Sequence, residues 1–247
     1  VPIMGTSYGA SKFPSLFQNC ILWAPLFHSA GVSGDIDEFP IIPVGVTVTN
    51  NGTFTKDDLG NNKSVLKFDG STNSIRYTNV SSLYFGSNNF TVTFWIKANS
   101  IIAANNIIFS SQESIGDYSP LLINWGSGFE AMGSSGASWD LDLTSTVTPV
   151  VDTWYYVTIT RSGNTFTMHI NGISNSSVTY SNSLMTANNY FYIGSNLPVN
   201  RYLSGNLKDF MIFTRALSLP EIKLLMNRTH PVTGAGLIDT GKYWRLL

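Results

Sequence analysis

Apolar and polar residues alternate with a period of two along much of the chain, most clearly from Asp152 to Gly172, DTWYYVTITRSGNTFTMHING. Tyr155, Val157 and Ile159 share one face of the first run; Trp154, Tyr156, Thr158 and Thr160 share the other. In the second run Phe166, Met168 and Ile170 alternate with Thr165, Thr167 and His169. Successive side chains of a strand point to opposite sides of a sheet, so the pattern predicts an antiparallel hairpin. Ser162-Gly163-Asn164 supplies the positive φ that a tight turn requires, and Asn171-Gly172 repeats that signal before another strand. Apolar side chains on one face need a second sheet to cover them. The expectation is a β-sandwich.

The same alternation marks further strands. CILWAPLF (20–27) is the first, interrupted by Pro25, which argues for an edge or a bend. GVTVT (45–49) ends at an Asn51-Gly52 turn, and short strands at 65–68 and 74–77 flank Asp69-Gly70-Ser71. FTVTFWIKA (90–98) is the longest, with Phe90, Val92, Phe94 and Ile96 on one face and Thr91, Thr93, Trp95 and Lys97 on the other. Strands at 107–110, 121–125, 190–194 and 205–214 follow the same logic. Residues 126–147, rich in Gly, Ser and Asp, are expected as a long loop with a weak strand near 129–132; such loops are where binding usually sits. One helix is predicted, starting at Ser218: Ser218-Leu219-Pro220-Glu221 is a capping box, Pro220 loses no intrahelical bond in the first turn, and Ile222, Leu225 and Met226 form the stripe.

Composition narrows the class. With 247 residues one large β domain is favoured over two small ones, and the expected division is an extended arm (1–19), one domain (20–228) and a tail (229–247). Charged residues make up 12% and aromatics 13%, so Asn, Ser, Thr and Gly fill the surface, as on many extracellular and virion β proteins. A formal net charge of −1 gives no electrostatic reason for a nucleic-acid or anionic-membrane partner. No apolar run approaches the roughly 20 residues of a membrane span, and the first residues lack the basic-then-apolar order of a signal peptide. Cys20 is the only cysteine and is expected as a buried small hydrophobe, so the core must stabilise the fold without a disulfide.

Catalytic chemistry finds little to stand on. His28, His169 and His230 share no ligand spacing with Cys20, and no nucleophile elbow, phosphate-cradling loop or zinc-protease helix occurs. Glycoside hydrolysis usually needs two carboxylates on one cleft, and the nearest candidates, Asp140 with Asp142, lie two apart in a loop. A non-enzyme is expected. Binding is better served: sugars present apolar C–H faces to exposed rings beside amides and carboxylates. The region 118–142 holds Tyr118, Trp125, Phe129 and Trp139 with Asn124, Asp140 and Asp142. Trp139, set in GASWDLD, leads the candidates, Tyr118 in GDYSP follows, and Trp125 reads as core. The competing reading is that these rings only pin the loop.

VLKFDGSTNSIRY (65–77), YFGSNNFTVTFWIK (84–97), DTWYYVTITRSGNTFTMHING, YIGS (192–195) and GNLKDFMIFTRALSLPEI (205–222) together resemble the laminin-G-like, concanavalin-A-like lectin/glucanase jelly-roll family, in the form found in phage and other virion proteins. Order and spacing match across about 21–227. The resemblance implies an all-β, two-sheet antiparallel jelly roll with one short C-terminal helix. Its members are mostly non-catalytic modules that bind glycans or proteins, and in phages they sit on tail fibres, head fibres and capsid decorations. That implies a virion-surface or extracellular location, with a glycan or host cell surface, other virion proteins and further copies of the chain as partners. A purely structural virion subunit, held by its terminal arms without a ligand, is the alternative.

The resemblance also implies Ca²⁺, which the family tends to bind between the loop after its first core strand and an acid near its last. Asp69 and Asn73 occupy the first position and Asp209 the second, and oxygen donors suit the ion. Where many relatives carry two acids this chain has Lys208-Asp209, so Lys208 could replace the ion by pairing with Asp69. The other reading makes Asp69 a turn former and Asp209 an exposed strand residue.

Overall fold

The fold is a computed structural model that describes residues 16–26, 41–60, 63–80, 84–100, 106–112, 118–186, 189–196, 200–231 and 233. Among these residues seventeen strands and one helix follow in chain order: β1 Cys20–Ala24, β2 Thr47–Asn51, β3 Thr55–Gly60, β4 Lys63–Asp69, β5 Ser74–Thr78, β6 Phe90–Ala98, β7 Ile107–Ser110, β8 Leu122–Trp125, β9 Phe129–Gly133, β10 Leu141–Thr144, β11 Trp154–Ser162, β12 Thr165–Ile170, β13 Ile173–Thr179, β14 Tyr190–Ile193, β15 Ser195–Asn196, β16 Arg201–Tyr202, β17 Ser204–Phe213 and α1 Leu219–Thr229. One large sheet runs β13-β12-β11-β6-β17-β4-β3, with β1 also on β17; the other runs β10-β9-β8-β7-β14-β5-β2. All their pairings are antiparallel. This is the two-sheet jelly roll with a C-terminal helix.

The period-two faces predict the packing. Val92, Phe94 and Ile96 of β6 join Val157, Ile159, Phe166, Met168 and Ile170 of the hairpin in one core between the sheets, facing Ile75, Phe109, Ile123 and Phe191. The β11–β12 turn closes with Ser162 opposite Thr165, and the next with Ile170 opposite Ile173. At the second, Asn171 and Gly172 have φ of 51° and 71°, the left-handed pair that a two-residue hairpin needs.

The opposite face of the first sheet is not solvated. Trp95, Tyr156, Met211 and Phe213 form a second core with Trp23 of β1 and with Ile222 and Leu225 of α1. Leu16, from the described end of the expected arm, is buried there, and Phe17 packs against it. Residues 1–15 of the arm, and the tail beyond Thr229 apart from 230, 231 and 233, lie outside the described residues. Cys20 is only half-buried, against this second core, and its Sγ–H points at the Leu22 carbonyl 3.3 Å away.

Two sequence expectations change. The span 126–147 is not a long loop: β9 and β10 pair along it, Leu141 with Gly133 to Thr144 with Glu130, and only 134–140 remains as their connection. Leu141 and Leu143 are buried while Asp142 and Thr144 are exposed, an alternation too short to stand out. The first strand stops at Ala24, before Pro25, because β17 changes partner there: its residues 204–207 pair with β4 and 210–213 with β1.

The helix starts where the capping box places it. The Glu221 carboxylate accepts from the Ser218 amide at 2.8 Å and hydroxyl at 2.7 Å, and Arg215 meets its other oxygen at 2.8 Å. Slight burial would raise the Glu221 pKa, but the bonds from Arg215 and Ser218 prevail and lower it from 4.5 to about 2. A depressed acid stabilises fully above its unfolded pKa and loses that contribution as pH falls through the folded one. Chemical denaturation should therefore show Glu221→Gln less stable than wild type by about 1 kcal/mol at neutral pH, the figure discounted for a partly solvated pair. The gap should close as pH falls from 4.5 toward 2.

Candidate functional site: an aromatic rim

At one end of the second sheet three segments meet: the lead-in to β8, the β9–β10 connection, and the chain after β13. Gly133 makes the close approach possible, since a Cβ there would lie 2.9 Å from Leu141, Leu184 and the Pro120 carbonyl. Ser119, fully buried, donates its hydroxyl to the Leu121 carbonyl at 2.7 Å and lies 2.9 Å from the Ser111 hydroxyl, fixing the lead-in. The Met185 amide bonds the Ser134 carbonyl at 2.7 Å, tying the third segment to the second.

Tyr118 and Trp139 come together on this rim, both half-buried, with ring centroids 5.8 Å apart and planes at 81°. Edge-to-face geometry suits the ring quadrupoles and holds one indole face in place. The neighbouring Asp140 is exposed but fully engaged. Its Oδ1 accepts from the Ser135 amide and the Tyr180 hydroxyl, each at 2.9 Å; its Oδ2 accepts from the Ser135 hydroxyl at 2.6 Å and the Asn182 amide at 3.3 Å. The little solvent it loses would raise its pKa, but these bonds outweigh that and lower it, keeping the carboxylate ionised.

The remaining candidates separate. Asp142 is exposed on the outer face of β10 and accepts from Thr144 at 2.9 Å. Asn124 is half-buried on the outer face of β8 opposite Glu130, so β9 stands between it and β10. Trp125 and Phe129 are buried in the core, as expected for Trp125. Tyr180 and Asn182, which immobilise the rim together with Ser135, carry no signal in sequence because their partner Asp140 lies far along the chain.

Residues 69–223 match the family described as the concanavalin A-like lectin/glucanases superfamily, in its laminin G form. The chain belongs to this family. No curated protein matches it by sequence. Among solved structures, the binding domain of Paraclostridial Mosquitocidal Protein 1 is similar at TM-score 0.63 and 17% identity, over 86% of this chain and 52% of that one. The binding domain of Botulinum Neurotoxin DC in complex with SialylT gives 0.64 and 16%, over 87% and 53%. Domain 4 of AbnA, a GH43 extracellular arabinanase from Geobacillus stearothermophilus, in complex with arabinotriose, gives 0.58 and 17%, over 84% and 98%. The laminin G-like chain thus spans about half of each toxin binding domain and nearly the whole arabinanase domain.

The calcium position implied by that kinship does not come together. Asp69 closes its own turn: Oδ1 accepts from the amides of Ser71, Thr72 and Asn73 at 2.8–3.0 Å, and Oδ2 from the Thr72 hydroxyl at 2.5 Å. Asn73 is beside it but buried, donating to the Thr53 carbonyl at 3.0 Å. Asp209 is elsewhere. Ser204 is the residue opposite Asp69, and Asp209 lies five positions further along β17, roughly 16 Å away at strand rise. It is buried, contrary to the exposed position expected, and binds the Trp23 indole at 2.8 Å and the Lys208 ammonium. Lys208 pairs with it and not with Asp69. Among the described residues no group of three or more His, Cys, Asp or Glu is placed to hold a metal. The trio does not fit one ion, and a thermal scan in Ca²⁺ against chelator should show no shift assignable to it.

Proposed function

We propose that this laminin G-like chain is a non-catalytic glycan-binding module of a virion or other extracellular surface. The Tyr118–Trp139 pair carries the reading. A ring held edge-on by its neighbour offers a pre-set face for the C–H side of a sugar, which limits the entropy lost on binding. The arabinanase domain and the neurotoxin domain, both solved with a bound molecule, are consistent with a fold that accommodates such sites. Catalysis is disfavoured by geometry: both Asp140 oxygens are engaged by Ser135, Tyr180 and Asn182, and Asp142 is exposed on the outer face of β10.

A glycan array on the purified protein should return saccharide hits. Trp139→Ala should then weaken the best of them by at least about thirtyfold, the loss typical of an aromatic anchor worth 2 kcal/mol or more. Its melting temperature should stay within about 2 °C, since one half-exposed ring is removed from a rim that Asp140 still holds. A drop of several kcal/mol in stability instead would make the indole a packing residue. An array without hits would favour the structural subunit held by its arms.

A further inference from the structure

Two arginines of the described residues are well supplied with protein acceptors. Arg161 donates to the carbonyls of Gly163, Gly86, Tyr180 and Asn182. Arg215 meets Glu221 and the carbonyls of Gln18 and Leu16. Arg76 differs. It lies on the outer face of β5, opposite Tyr192 of β14 on one side and Thr49 of β2 on the other. Its guanidinium carbon sits 4.7 Å from the Tyr190 ring centroid and 5.8 Å from that of Tyr192, and the two rings meet at 69° with centroids 5.4 Å apart. Its Nε is shielded from solvent yet has no hydrogen-bond acceptor. None of the ion pairs among the described residues involves it.

Two tyrosine faces hold the cation in place by cation–π attraction, which fixes the plane of the fork without using its N–H groups. The shielded Nε cannot reach an outside ligand, but the two terminal nitrogens have no acceptor among the described residues, and the planar pair they form matches a carboxylate in bidentate fashion. The surroundings suit a sugar. Tyr190 and Arg76 are half-buried and accessible, while Thr47 and Thr49 of the edge strand β2 are exposed and bring hydroxyls alongside. This position is distinct from the Tyr118–Trp139 rim: β5 is separated from β8 by β14 and β7.

We infer that Arg76, with Tyr190, Tyr192 and the Thr47 and Thr49 hydroxyls, forms a second saccharide subsite selective for sugars bearing a carboxylate. The inference rests on the glycan-binding reading and names a ligand class for it. Arg76 takes the carboxylate and Tyr190 underlies the ring. Sulfated sugars share the negative charge but not the planar two-oxygen geometry.

The test is calorimetric titration of wild type, Arg76→Ala, Arg76→Lys and Trp139→Ala with four probes: 3′-sialyllactose, trigalacturonic acid, lactose 3′-sulfate and lactose. Wild type should bind at least one carboxylated probe tenfold or more tighter than lactose, and tighter than the sulfate. Arg76→Ala should remove that preference at unchanged melting temperature, and Arg76→Lys should keep only a fraction of it. Trp139→Ala should leave the preference ratio intact. Equal affinity for acidic and neutral probes, with all binding lost in Trp139→Ala, overturns the subsite and spares the rim. A preference for the sulfate over both carboxylates, or one that survives Arg76→Ala, also overturns it. A preference lost with Arg76 while Trp139→Ala is silent supports the subsite and removes the rim. Absence of binding to any probe in wild type overturns this subsite.

Discussion

Replacing Arg161 with alanine should lower the melting temperature by about 10 °C and loosen the aromatic rim that the substitution does not touch. Arg161 is fully enclosed, yet its partners are four backbone carbonyls and not a carboxylate. Gly163 and Gly86 accept at 3.0 and 2.5 Å, Asn182 at 2.9 Å and Tyr180 at 3.5 Å. Phe166 lies beneath the guanidinium at 5.0 Å. Truncation strands several acceptors in an apolar setting, where each costs about 1–3 kcal/mol, and empties the space above Phe166. A total of about 3–5 kcal/mol follows if the chain relaxes in part, and at this chain length each kcal/mol is worth about 2–4 °C. The second consequence is directional. Arg161 holds the backbone of 180–182, whose Tyr180 hydroxyl and Asn182 amide hold Asp140, which in turn fixes the connection bearing Trp139. Hydrogen exchange in 134–140 and 180–186 should therefore accelerate more than in β6. Arg161→Lys, with one ammonium in place of a fork, should recover only part of both effects. Lost stability with uniform exchange across the sheets would mean that Arg161 supports the fold without reaching the rim.

How much of this was readable in the sequence depends on what each strand buries. β6 and the β11–β12 hairpin were legible because large apolar side chains occupy every second position on their core face. β3, with the sequence TKDDLG, was not, because an edge strand can pair through its backbone with polar side chains on both faces. The second core was half visible. Trp95, Tyr156, Met211 and Phe213 stand on faces that ought to have been polar, and the helix stripe of Ile222 and Leu225 is their cover. Matching an apolar outer face to an unpartnered helix stripe would have found it. At the rim, Tyr118 and Trp139 stood out individually as aromatics among small residues. Their contact did not, and neither did the capture of Asp140 by Tyr180 and Asn182, since both depend on how β8, β9 and the segment after β13 meet. Tyr190 and Tyr192 alternate with Phe191 and Ile193 of the core, so both stand on the outer face, where Tyr190 is half-exposed and Tyr192 is covered.

Asp209 is where the family analogy and the physics part, and its substitution should carry the other large effect. The residue sits in β17 at φ 51°, where a non-glycine backbone is strained, at the register break between pairing with β4 and pairing with β1. Its amide bonds the Pro25 carbonyl at 2.9 Å, and its carboxylate holds the Trp23 indole and the Lys208 ammonium. Lys208 also donates to the Thr229 carbonyl at 3.1 Å, and the Thr229 hydroxyl accepts from the Trp95 indole at 2.8 Å. One carboxylate thus joins β1, β17, β6 and the end of α1 in the second core. Asp209→Ala leaves a shielded ammonium and an indole N–H without their acceptor and puts a Cβ-bearing residue, lacking a local polar side chain, in the left-handed region. Removing one partner of a buried pair costs about 3–5 kcal/mol, so urea denaturation should show a loss of that size. Asp209→Asn tolerates the same φ and can still accept from Trp23, so it should lose only the ammonium's counter-charge, about half as much. The calcium reading predicts a different result: both variants would abolish a Ca²⁺-dependent rise in wild-type melting temperature and match wild type in chelator. The structure predicts the reverse, a loss of stability in chelator that added Ca²⁺ leaves unchanged, because the Asp209 oxygens are taken up by Trp23 and Lys208.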